Sequence, residues 1–530
     1  MSKKKSSIKN KNSSQNKIRP YTVMCTDMYL LWILIVFPLY YADGYFHLPE
    51  KKAMFWIVST LTYVFACLIG IVIMAFSMKA HWSMKNFKKN ITMTDIFMFG
   101  FLVSNLIALT MTNDVTASWV GAGARYYGAR VLLLVCVVYF LLSRYAWVNQ
   151  VFIVAFLVGG NIVCLLATFD YFWLDILGIN QQMQEADWYL FISTMGNANT
   201  CASYTCMAIA ASMAYYCVVT SWKAKVLVGV SIVNCSVTLV TARSDSASVG
   251  IAVLIVMLTV LALQKKIKWS AVLESFAILV LGLIGFAYVR EIYAPTIQKH
   301  RWYDSGVPRI LWEKFEFLYW VLIALIIVYA LFLFVDKKEI RLKKHTKTGI
   351  CIISAGFALL GFVFIAKEIN LFQIFKNSIG AGEMQVAGNR KYIYTRILQA
   401  YAQLPLHHKL FGCGQAAISN VLTQYFGSEL SSLGIGINSA HNSILDYLIT
   451  TGIFGVAAYL GTAFMVIKHG IATLKDNKLS LVVTGVIVAY FAQGLFNIEQ
   501  TNTTTIFWLF IALAEAIYRQ YVMKEEKGYT

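Results

Sequence analysis

Runs of about twenty apolar residues recur from one end of this 530-residue chain to the other, each long enough to cross roughly 30 Å of hydrocarbon. Hydrophobic residues make up 58% of the sequence and charged ones only 13%, with a mean hydropathy of +0.63. No soluble fold solvates such a surface, so the chain reads as an all-α, polytopic integral membrane helical bundle with about 14 transmembrane helices. The apolar limits lie near 24–43, 53–77, 94–111, 128–144, 148–168, 200–221, 226–241, 247–264, 270–289, 311–335, 348–366, 442–467, 479–495 and 504–522. A long outer loop, 367–440, precedes the twelfth run, and loops of that length are usually functional.

The formal net charge of +19 raises the question of nucleic acid, and its distribution answers it. Lys and Arg concentrate in alternate short loops, the pattern of cytoplasmic retention, rather than on a binding face. The tail, with Lys3, Lys4, Lys5, Lys9, Lys11 and Lys17, is expected to be cytoplasmic and to touch anionic lipid at most. Both termini are therefore expected on the cytoplasmic side of a multi-pass protein of the cell membrane. The first apolar run lacks a small-residue cleavage site and reads as a retained span. The ten cysteines fall almost all in or beside apolar runs, with Cys413 alone well inside an outer loop, and read as small core residues without a disulfide framework.

Ionisable residues at the membrane surface are costly and often mark function. On the expected outer face these are Arg125, Arg243, Arg290, Arg301, Arg309, Arg390, Arg396 and His441. Arg243 ends an apolar run in Thr241-Ala242-Arg243-Ser244, and the next begins four residues later, so a tight turn holds its guanidinium at the surface. Its plainer reading is an interface side chain on a lipid phosphate. Arg390 precedes a stretch of helical character, Tyr392 to Gln403, where a guanidinium fork suits a diphosphate; its plainer reading is a solvated loop charge. Leu404-Pro405-Leu406 then breaks the helix, and Gly412-Cys413-Gly414 turns sharply. Arg396, on the helix, reads as structural first.

His441 stands at the start of a membrane-entering helix, with Asn438, Ser439 or Asn442 placed to cap it. The positive end of a helix disfavours imidazolium and so keeps a base neutral, and the same end attracts an anion. For a lone histidine the plainer reading is a capping or interface residue. Gly452 and Gly455 suit close helix packing. No P-loop, GxSxG, HExxH or paired Asp-x-Asp motif occurs; no metal and no cofactor is expected.

His441-Asn442 followed by Gly452-x-x-Gly455 resembles the signature of the O-antigen ligase and Wzy polymerase superfamily, which closes a large outer loop and opens the next span. Arg390, Leu404-Pro405-Leu406 and Leu410-Phe411-Gly412-Cys413-Gly414 resemble the family's Arg, Pro-Leu and Gly-x-Gly region. Leu239 to Ser244 resembles its span ending in Ser-Arg, with Ala242 in place of the usual Ser and Ser244 where Gly is common. Gly196-Asn197-Ala198-Asn199 echoes its first half. The resemblance divides the chain into a basic tail (1–22), N-terminal membrane helices (23–229), an O-antigen ligase-like core with the outer loop (230–460), and C-terminal membrane helices with a short tail (461–530).

That resemblance implies metal-independent glycosyl transfer from an undecaprenyl diphosphate-linked glycan on the outer side of the cytoplasmic membrane. His441 would deprotonate the acceptor hydroxyl, Arg243 and Arg390 would neutralise the departing diphosphate, and Asn442, Arg125 and Arg396 are supporting candidates. The expected partners are the lipid-linked donor, a glycan acceptor, membrane lipids, a flippase and a chain-length regulator, and no nucleic acid. The favoured activity joins oligosaccharide repeats into a surface polysaccharide. A ligase passing finished glycan to a terminal acceptor shares the chemistry. A lipid-glycan transporter is the alternative of a different class, against which the absence of an internal repeat speaks.

Overall fold

The computed structural model describes residues 21–78, 91–121, 123–181, 183–184, 188, 191–297, 306–337 and 390–525. They form an all-α, polytopic membrane bundle. In chain order the helices are α1 (Tyr21–Leu39), α2 (Gly44–Met78), α3 (Met93–Thr110), α4 (Val115–Val120), α5 (Ala129–Tyr145), α6 (Gln150–Tyr171), α7 (Ala198–Tyr216), α8 (Trp222–Thr241), α9 (Ser246–Leu263) and α10 (Trp269–Ile297). There follow α11 (Gly306–Glu313), α12 (Glu316–Lys337), α13 (Arg390–Gln403), α14 (Leu406–Phe411), α15 (Ile418–Ser432), α16 (Ser443–Thr450), α17 (Gly452–Ala472), α18 (Leu479–Gly494) and α19 (Thr501–Glu525). A two-residue antiparallel pairing, Phe191–Ile192 with Gly196–Asn197, leads into α7.

The bundle is organised around α7 and α18. Every residue from Thr200 to Tyr216 is buried, and α7 is rich in Ala, Ser and Cys, whose small side chains let neighbouring backbones approach. Helices α6, α8, α9, α18 and α19 surround it. Polar and charged groups at the far end of the bundle are paired, as buried charge requires. Asp95 of α3 is flanked by Arg144 of α5 (3.1 Å) and Arg519 of α19, and His469 of α17 meets Glu515 of α19 at 3.0 Å.

Among the described residues eight helices are long and apolar enough to cross a membrane, or nine if the pair α11 and α12, bent by 80°, counts as one span. The expected count of fourteen is thus not established. Helices occupy the places of thirteen of the expected runs, but α5 and α18 are short, at 17 and 16 residues, and 348–366 lies outside the described residues.

Two boundaries need correction. The helix expected to end at 289 continues to Ile297, which puts Arg290 on α10 rather than in a loop, and Arg301 lies outside the described residues. The run 442–467 is not one helix. It breaks at Thr451 (φ −125°, ψ 1°) and Gly452 (φ +69°) into α16 and α17.

A helix end leaves carbonyls without partners. Here the amides of Cys413 and Gly414 donate to Ile449 O (2.9 Å) and Thr450 O (3.1 Å), docking the segment ahead of α16 onto that helix. The approach is backbone on backbone: a Cβ on Gly412 (φ +84°) would lie 2.3 Å from Thr450 O, and one on Gly452 would lie 2.4 Å from Leu410. Neither neighbour is a side chain that can swing aside. Gly452→Ala is therefore expected to cost on the order of 2–4 kcal/mol, from the left-handed backbone and the clash together. Thermal unfolding of the purified protein checks this, and an unchanged midpoint would contradict it.

The described part of the expected long loop, from 390 onward, is a helical cap rather than an extended connection. Helices α13 and α15 share a small core built on Ile393, Ile397, Val421 and Leu422, to which Ile449 of α16 is joined. This cap sets the position of the site below.

Candidate functional site

Four non-glycine residues in the left-handed region gather where the connections at one end of the bundle meet: Tyr126 (φ +49°), Arg243 (φ +52°), Ala416 (φ +66°) and His441 (φ +52°). Such backbone costs of order 1–3 kcal/mol per residue and persists only where the surroundings impose it. At His441 the surroundings are explicit. Asp446, buried on α16, accepts from the Ala440 amide (2.9 Å) and the Ser439 hydroxyl (3.1 Å), and that hydroxyl accepts from the His441 amide (3.1 Å). The Tyr394 hydroxyl of α13 donates to His441 O at 3.1 Å and stands 3.2 Å from Leu495 O.

Asn442 is the N-cap. Its Oδ1 accepts from Ile444 N (3.0 Å) and Leu445 N (3.1 Å), and its Nδ2 donates to Leu495 O (3.0 Å). The next residue, Ser443, donates to Gly494 O at 3.0 Å and to the Glu499 carboxylate. One turn thus engages the cap, α16 and the α18–α19 connection at once.

The electrostatics follow from this placement. Burial, then Arg390, then Arg125 lower the His441 imidazole to about 4, so the ring is neutral at physiological pH. Arg390 is the first residue of α13, its guanidinium 5.9 Å from the Phe496 ring. It also acts on Asp245, whose carboxyl burial raises while the Val307 amide (2.8 Å) and Arg390 pull it down. Asp245 is two residues from Arg243, so Arg390 is within electrostatic reach of both the turn between α8 and α9 and His441. The Arg243 guanidinium lies over the Tyr171 ring at 5.0 Å. Ser244 and Ser246 of the same turn join Asn199, Ser203, Gln493 and Asn497 in one buried hydrogen-bonded network.

Arg390 and Arg125 are thus within electrostatic reach of His441, and Arg243 lies in the turn whose Asp245 Arg390 also reaches. Arg125 donates to Asn438 O in the His441 turn. Arg396 sits apart from that group: it pairs with Glu429 (2.5 Å) and lies against Tyr392 and Phe426, holding α13 to α15. Arg309 pairs with Glu313 along α11. Arg290, one of the cations expected on the outer face, is buried, donates from Nε to the Tyr171 hydroxyl (2.8 Å) and faces Trp312. Asp446, Glu499 and Asn497 were not among the candidates in the sequence. The polar run Asn497 to Thr505, set between two apolar helices, was the signal for the last two.

Among the described residues no three His, Cys, Asp or Glu side chains are grouped to hold a metal ion. The nine described cysteines are free, and Cys351 lies outside the described residues.

A neutral, half-buried imidazole near guanidinium groups, at one end of a multi-pass helical bundle, defines a membrane protein with an anion-receptive, base-bearing site. Residues 318–460 match the family model described as O-antigen ligase. The resemblance seen in the sequence is thus supported over a stretch that contains Arg390, the Gly412-Cys413-Gly414 turn, His441 and Gly452 through Gly455. Part of it, 338–389, lies outside the described residues. No curated protein matches the chain.

Proposed function

We propose that the protein is a glycosyltransferase that joins undecaprenyl diphosphate-linked oligosaccharide repeats into a surface polysaccharide on the outer face of the cytoplasmic membrane. The observation that carries this reading is the neutral His441 ring beside Arg390, itself next to the Arg243 turn. The acceptor oxygen attacks the anomeric carbon as the bond from that carbon to the diphosphate oxygen breaks. The acceptor proton passes to His441, and the electron pair leaves with the diphosphate, whose growing negative charge Arg243 and Arg390 neutralise. Both termini are cytoplasmic in this reading, and a flippase and a chain-length regulator are its natural partners.

The match of 318–460 to the O-antigen ligase family favours a second reading, a ligase that moves finished glycan to a terminal acceptor by the same chemistry. Membrane vesicles given only the lipid-linked repeat separate the two. A ladder of longer lipid-linked chains supports the polymerase, and no ladder until a separate acceptor is added supports the ligase.

The pH dependence has a definite sign. In the free protein His441 is the base above about 4, so kcat/KM is expected to fall only as pH drops toward that value. A bound diphosphate adds negative charge close to the ring, which favours imidazolium and raises its pKa. The acid limb of kcat is therefore expected at higher pH than that of kcat/KM. Coincident limbs, or a kcat limb at lower pH, would contradict the placement of the diphosphate.

A further inference from the structure

A cavity of about 40 Å³ lies against the His441 turn, lined among others by Arg125, Tyr127, Gln415, Asn438, Asp446 and Glu499. It has room for a few water-sized groups, and its walls set polar side chains among apolar ones, a lining that suits the mixed edge of a sugar. Its polar groups are not all committed. The Asp446 carboxylate is engaged by Ser439 and Ala440. Glu499 differs: the residue is 5% exposed, one oxygen accepts from Ser443, and the other has no hydrogen-bond partner among the described residues, although the Thr504 and Tyr490 hydroxyls stand near. Arg125 spends one nitrogen on Asn438 O, its only hydrogen bond among the described residues. A buried acceptor without a well-formed bond costs free energy unless a ligand or water meets it. Burial raises the Glu499 carboxyl to about 7, so near neutrality it can either accept or donate.

The cavity and the diphosphate cations share His441 and divide their other partners. Arg390 acts on His441 and on Asp245 beside Arg243, whereas Arg125 acts on His441 and on Asp446 in the cavity wall. Transfer needs such a division, because the attacking hydroxyl and the leaving diphosphate stand on opposite sides of the anomeric carbon when the displacement is direct. We infer that this cavity is the acceptor subsite, in which Arg125 and Glu499 hold the hydroxyl-bearing edge of the incoming sugar so that its reacting hydroxyl meets His441. The inference rests on the glycosyl-transfer reading and adds to it where the acceptor binds.

The test is binding, measured apart from turnover. The repeat oligosaccharide, released from its lipid by mild acid, is titrated into the purified full-length protein and followed by saturation-transfer NMR. Wild type binds it; Glu499→Gln and Arg125→Lys each weaken binding about tenfold, the loss of one good hydrogen bond to a substrate hydroxyl. Arg309→Ala leaves it unchanged, since Arg309 pairs with Glu313 along α11 and does not line the cavity. Two variants guard against one that folds poorly, and the melting temperature of each is recorded. No binding to wild type, wild-type affinity in both cavity variants, or equal loss in Arg309→Ala would overturn the subsite. Transfer that survives in His441→Ala would instead overturn the base, leaving the binding result to stand or fall separately.

Discussion

Cells whose only copy carries His441→Ala are expected to keep the protein in the membrane and to display single repeats in place of long chains. The fold should tolerate the change, because the cap of α16 is Asn442 and the turn is held through backbone groups by Asp446, Ser439 and Tyr394. What is lost is the one neutral imidazole at the site. A positioned general base contributes about 10²–10⁴-fold, so transfer in isolated membranes should fall by that factor. A gel of the surface polysaccharide, normalised to the amount of protein, reads the outcome directly. A ladder of normal length would remove His441 from the chemistry.

The second large effect is expected at Arg243 and Arg390. Each →Ala change should lower the rate about 10²–10³-fold, the loss seen when one preorganised donor to a developing charge is removed. Lysine at either position should recover part of it, since a point charge remains while the two-pronged fork is lost. The double variant should fall well short of the product of the single losses, because the two cations act on one leaving group. Arg396→Ala is the contrast. Its guanidinium is spent on Glu429, so it should cost stability of the cap and only a few-fold in rate. Equal damage from Arg396→Ala and Arg390→Ala, with both proteins intact, would contradict this division of roles.

Much of this site was legible in the sequence, for reasons that are local. A cation ending one apolar run four residues before the next must sit in a tight turn, and Arg243 does. Asn beside His ahead of an apolar stretch is a capping signal, and Asn442 caps. Gly412 was visible as a turn residue and Gly452 as a close-packing one, but not that their backbones meet. The break at Thr451 was hidden because the run is apolar on both sides, and hydropathy has no term for a carbonyl that the Gly412 turn will satisfy. The cap was hidden because its core residues are spaced among charged and polar ones. Arg290 was misplaced by a helix that outlasts its apolar run. The polar run around Glu499 and Asn497 was visible, but their partners, Ser443 for the first and Asn199, Ser203 and Ser246 for the second, are brought to them only by the fold.

The most direct measurement is an experimental structure of the full chain in a lipid bilayer with an undecaprenyl diphosphate-linked repeat bound. The expected result places the diphosphate between the guanidinium groups of Arg243 and Arg390, the anomeric carbon toward His441, and all three on the extracytoplasmic side. A diphosphate seated away from both arginines, or a His441 ring opening toward the cytoplasm, would contradict it.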